Sequence, residues 1–81
     1  MNTENTDKKQ VATEWVENGG KCAYRYGFAY RGALARPITA EKAKELLPSY
    51  SFGMGFYELM WSTLNGEKVL MFNEYSENDM L

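Results

Sequence analysis

Asn65-Gly66 stands between two apolar runs, residues 56–64 and 67–72, and this arrangement constrains the fold more tightly than anything else in the chain. Both residues tolerate the positive φ that a type I′ turn needs, so the pair marks a two-residue β-hairpin. The turn sets the register: Leu64 faces Glu67, Ser62 faces Val69, Trp61 faces Leu70, Met60 faces Met71 and Leu59 faces Phe72. Leu59, Trp61, Leu70 and Phe72 then share one side, while Phe56, Met60, Val69 and Met71 make much of the other. A hairpin apolar on both sides must be covered on both. A helix is expected on one side, and a loop, another strand or a second copy of the protein on the other.

A further strand is expected within residues 21–31. Read with a period of two, it carries Cys22, Tyr24, Tyr26, Phe28 and Tyr30 on one face and Ala23, Arg25, Gly27, Ala29 and Arg31 on the other. The segment before it reads two ways. Val11, Ala12, Trp15 and Val16 recur at helical spacing with Gly19 as a stop. Alternatively, Asn18-Gly19 is a second hairpin turn that pairs Trp15 with Cys22, Thr13 with Tyr24 and Val11 with Tyr26. That register keeps the apolar residues on the aromatic face and favours the hairpin.

Thr39 is placed to cap a helix over residues 40–47, with Ala40, Ala43, Leu46 and Leu47 on one face, and Pro48 ends it. Ser49 to Gly55 reads as a loop of small and aromatic residues. The order that emerges is ββαββ, an α+β domain with a small antiparallel sheet packed on one short helix. Residues 1–9 are expected to be a flexible polar tail, 10–75 the single domain and 76–81 an acidic C-terminal tail, with fraying beginning after Phe72.

Composition narrows the class. The chain has 81 residues, enough for one core, and its 44% hydrophobic and 15% aromatic content argues for packing rather than disorder. Cys22 is the sole cysteine, so no internal disulfide forms, which fits a reducing compartment; a cytoplasmic location is expected. The polar N-terminus does not read as a secretory signal, and no apolar stretch approaches the roughly 18 residues of a membrane span, so no membrane partner is expected. Charge is segregated along the chain. Lys21, Arg25, Arg31, Arg36, Lys42 and Lys44 against Glu41 give residues 21–44 a net +5; Glu45, Glu58, Glu67, Glu74, Glu77 and Asp79 against Lys68 give residues 45–81 a net −5.

No histidine is present, which removes the commonest general acid/base, the Ser-His and Cys-His pairs and most zinc sites. Cys22 without an imidazole reads as a buried thiol. Glu58 reads as a solvent-facing strand residue. Gly53-Met54-Gly55 lacks the Lys-Ser/Thr of a phosphate loop, and Glu74, Glu77 and Asp79 do not match a calcium loop. No enzymatic activity, cofactor or metal is expected.

Two binding readings remain. Tyr, Trp, Met and Arg are enriched at interface cores, so the aromatic surplus supports a non-enzymatic protein-interaction module that binds a protein partner or itself as a homodimer. Small chains of this profile often serve as accessory or inhibitory factors, including those of phages and mobile elements. The candidate binding residues are Arg25, Arg31, Arg36, Tyr50, Phe52, Tyr57, Trp61 and Tyr75. The alternative is a single-stranded nucleic-acid binder that uses the Arg/Tyr strand 24–31, with Arg25, Arg31 and Arg36 beside exposed tyrosines. Residues 25–30, Arg-Tyr-Gly-Phe-Ala-Tyr, resemble in part the aromatic strand of RNA-binding sheets, where alternate rings stack on bases. They depart from it at the glycine expected after the basic residue, and the chain is too short for the full βαββαβ order.

Overall fold

Helix α1 (Thr3–Glu17) leads into strands β1 (Cys22–Tyr26) and β2 (Arg36–Ile38), helix α2 (Ala40–Leu46), a 3-10 turn (Leu47–Ser49), and strands β3 (Tyr57–Leu64) and β4 (Glu67–Glu74). These elements come from a computed structural model that describes residues 3–27, 34–53 and 55–75. Phe28, Tyr30, Arg31, Met54 and the acidic stretch 76–81 lie outside the described residues. The fold is α+β, but the first expected strand, within residues 11–17, is part of α1. Strand β2 lies where a connection ending at Pro37 was expected, so the sheet packs on two helices rather than one. Among the described residues the strands form one four-stranded sheet in the order β2-β1-β4-β3. The sheet is mixed: β1 runs antiparallel to β2 but parallel to β4.

The β3–β4 hairpin has the register its turn dictates, with Leu64 opposite Glu67, Met60 opposite Met71 and Leu59 opposite Phe72. Asn65 and Gly66 take φ of 54° and 81°, the left-handed pair of a type I′ turn. Strand β4 continues past Phe72 to Glu74, where fraying was expected, because β1 pairs along it as far as Tyr26 opposite Glu74.

Asn18-Gly19 does not turn a hairpin. It ends α1 in a Schellman cap: Gly19, at φ 79°, donates its N–H to the Val16 carbonyl, and Gly20 donates to the Trp15 carbonyl. Residues 3–9, expected as a tail, belong to this helix. Lys9 ties its middle down, donating from Nζ to the carbonyls of Leu47 (2.7 Å) and Tyr50 at the end of the 3-10 turn. Helix α2 starts as its sequence indicates, with the Thr39 hydroxyl accepting from the Lys42 N–H at 3.1 Å.

Both helices cover one face of the sheet. Ala12 and Val16, one turn apart on α1, meet Ala43, Leu47 and Tyr50 over Cys22, Leu59, Leu70 and Phe72. The other face carries a second cluster of Ala23, Val69 and Met71, flanked by Ala35, Met60 and Leu64. Residues 69–73 of β4 are therefore buried on both sides. Burial of a side chain the size of Leu70 or Phe72 contributes roughly 1.5–3 kcal/mol. No helix among the described residues is long and apolar enough to cross a membrane.

Candidate functional site

At the end of the sheet where β1 and β4 finish and β3 begins, the helix-side face is tyrosine-lined. Tyr26, Glu74 and Tyr57 stand in one row across three strands, since Glu74 is the register partner of both tyrosines. Tyr26 and Tyr57 are each about half exposed, at 53% and 48%. Tyr24, two residues back on the same face, donates its hydroxyl to Glu74 Oε1 at 2.8 Å. Tyr50, delivered by the extended chain after the 3-10 turn, sits edge-on to Tyr57 at 5.4 Å and to Phe72 at 5.2 Å.

Beside this row is a cleft of about 260 Å³. Tyr24, Tyr50 and Glu74 face it on one side, and Arg36 and Lys42 supply cations from β2 and α2. The Arg36 guanidinium lies over the Tyr24 ring, 5.5 Å from its centroid. Burial, then the hydrogen bond and charge of Glu74, hold the Tyr24 phenol above its ordinary pKa. Burial first and the Glu74 charge second push Tyr50 up to about 12. Both phenols are therefore protonated donors at neutral pH, and the cleft offers aromatic faces, one half-buried carboxylate and two cations.

A larger groove, about 440 Å³, runs between α1 and α2 along Lys9, Thr13, Val16, Leu47 and Pro48. Of its two ammonium groups, that of Lys9 is already held by the Leu47 and Tyr50 carbonyls and has its pKa lowered by burial, while Lys44 and Glu17 are exposed. Beyond these charges the groove offers mainly apolar contact.

The candidate residues from the sequence divide accordingly. Arg36, Tyr50 and Tyr57 come together here. Tyr50 is only 3% exposed, so its ring supports the surface from within rather than forming it. Arg25 points to the opposite face, where its Nε donates to Asn73 Oδ1 and its Nη2 lies 3.3 Å from the Met60 sulfur. Phe52 packs against the helix-side core. Trp61 packs edge-on to Trp15 at 5.3 Å under the Lys68 ammonium, 4.5 Å from its own ring. Tyr75 is buried and donates to Glu58 at 2.7 Å, so Glu58 is a half-buried acceptor rather than a solvated carboxylate. Arg31 lies outside the described residues.

Sequence reasoning missed Lys42 and Glu74, and it weighed Tyr24 and Tyr26 only as part of the nucleic-acid alternative. The period-two alternation does put both tyrosines on one face. Glu74 gave no signal, because its partner Tyr24 is 50 residues away. Cys22 is a buried thiol whose pKa burial pushes up to about 11, so it carries no nucleophile here.

No protein-family model matches this chain, and comparison with curated proteins and with solved structures finds no match in either.

Proposed function

We propose that this chain is a non-enzymatic protein-interaction module, an accessory or inhibitory factor that docks through the tyrosine-lined end of its sheet. The observation that carries the reading is the row Tyr26–Glu74–Tyr57, with both outer rings half exposed and Tyr24 and Tyr50 locked behind them. Tyrosine gives large contact area with few rotors to freeze, and rings already held by neighbours lose little more on binding. Arg36 and Lys42 at the rim favour a partner segment that brings acidic groups to the cleft. Two features weigh against single-stranded nucleic acid on this surface. Glu74 puts a carboxylate among the rings, and Arg25 is turned to the other face, bonded to Asn73.

Affinity capture from native lysate, with and without nuclease, tests this with the wild type, Tyr57→Ala and Arg36→Ala. One protein is expected to be captured stoichiometrically by the wild type in both conditions and lost with either variant, the fold being checked by circular dichroism. Capture that disappears with nuclease moves the reading to nucleic acid. Capture untouched by either variant moves it off this surface.

A further inference from the structure

The two edges of the sheet are guarded unequally. Strand β2 is three residues long with Pro37 at its centre, which blunts it against pairing. Strand β3 is eight residues long, and its stretch Leu59-Met60-Trp61-Ser62-Thr63-Leu64 has no charge, proline or glycine. Part of its outer edge is taken. Ser51 donates its N–H to the Tyr57 carbonyl (3.3 Å) and accepts from the Leu59 N–H (2.8 Å). On the inner side Phe56 accepts from Tyr75. Backbone groups alternate sides along a strand, so Trp61 and Thr63, like Tyr57 and Leu59, direct theirs outward. Among the described residues no strand or bridge pairs with Trp61 and Thr63 on that side.

We infer that this edge pairs with β3 of a second copy, antiparallel, with Ser62 on the two-fold axis. Ser51 selects that register. Centring on Trp61 would require the Leu59 N–H, which Ser51 already holds; centring on Ser62 pairs Trp61 with Thr63 of the second copy, and Thr63 with its Trp61. Each pair exchanges two backbone hydrogen bonds, and both residues are satisfied. The side chains agree with it. Met60 and Leu64, both half-buried beside the Ala23–Val69–Met71 cluster, face Leu64 and Met60 of the copy and extend that cluster across the axis. Ser62 faces Ser62, and no like charges stand opposed. The paired stretch is short against the roughly 1,200–2,000 Å² of a stable interface, so the dimer is concentration-dependent and exchanges rapidly. This inference concerns a different surface from the tyrosine row and does not rest on it.

Sedimentation velocity of the full chain between about 5 and about 500 µM tests the inference, spanning the range where a weak dimer forms. The wild type is expected to pass from monomer to dimer, and its Trp61 and Thr63 amides to exchange about tenfold more slowly at the high end. Ser62→Lys and Ser62→Glu put like charges on the axis and should each remain monomeric; mixed in equal amounts they should dimerise. A wild type that stays monomeric throughout overturns the inference. So does a dimer that survives both substitutions, or one whose Trp61 and Thr63 amides exchange independently of concentration.

Discussion

Asn73 is fully buried on β4 and accepts from the Arg25 Nε of β1 through its Oδ1, while its Nδ2 donates to the Gly27 carbonyl at 3.3 Å. One amide thus satisfies a half-buried cation and a backbone carbonyl at the end of the parallel β1–β4 pair. Asn73→Leu keeps the branched shape and the number of heavy atoms but strips both partners. A loss of about 1.5–3 kcal/mol is expected from urea unfolding, in line with hydrogen bonds to charged groups. Arg25→Met in the same background should recover part of that loss, because the stranded guanidinium is then gone. Equal stability of Asn73→Leu and wild type would show that water replaces the amide without cost.

This contact also shows which parts of the fold were legible. The β3–β4 register follows from one turn dipeptide, and the start of α2 from one hydroxyl, because both signals lie within a few residues of what they control. Asn18-Gly19 misleads for the same reason. The dipeptide suits a hairpin turn and a helix stop equally, and the deciding interactions are remote: Lys9 to the carbonyls of Leu47 and Tyr50, and β1 to β4. Parallel pairing between distant strands leaves no local mark, so neither the buried Asn73 nor the site carboxylate Glu74 could be read from their neighbours. The alternation along β1 was legible. It placed Cys22 and Tyr24 against Ala23 and Arg25, as the two clusters of the core require.

Gly20 lies against the Trp15 indole so closely that an added Cβ would fall 2.3–2.5 Å from three ring atoms. The ring has little room to give way. Its Nε1–H donates to the Lys21 carbonyl at 2.8 Å, and it packs edge-on to Trp61. Gly20→Ala is therefore expected to destabilise the chain by about 1–3 kcal/mol, the usual cost of forcing extra volume into a packed site. Denaturant unfolding followed by tryptophan fluorescence measures this. The native emission maximum should also shift, because the indole must leave its hydrogen bond. An unchanged midpoint would mean that α1 can swing outward freely.

Lys9, midway along α1, bonds the carbonyls that end the 3-10 turn. Lys9→Met keeps the aliphatic stem along the groove and removes the three donors. The Tyr50 carbonyl then relies on water while the Leu47 carbonyl keeps the Tyr50 N–H at 3.2 Å, and a loss of about 1 kcal/mol is expected. Hydrogen exchange reads the local effect: amides of α1 should lose protection before those of β3 and β4. Uniform loss across the chain would instead make the helix part of the same cooperative unit as the hairpin.

Four buried or partly buried acids give the chain a defined alkaline limit. Burial pushes the Cys22 thiol up to about 11. Burial, with Glu74 next, pushes Tyr50 up to about 12, and burial, with the Glu58 hydrogen bond next, does the same for Tyr75. Tyr24 moves in the same direction. In the unfolded chain the thiol titrates near 8.5 and the phenols near about 10. Between those values and the folded ones, the folded chain keeps protons that the unfolded chain has released, so stability falls as pH rises. It should be intact below about pH 8, begin to fall as Cys22 enters its unfolded range, and drop more steeply above about pH 10 as the phenols join. Urea midpoints across this range measure the slope, and tyrosinate absorbance from the buried rings should appear together with loss of circular dichroism. In Cys22→Ala the onset should move up to the phenol range. A midpoint that holds steady through about pH 11 would place these protons in water in the folded chain as well.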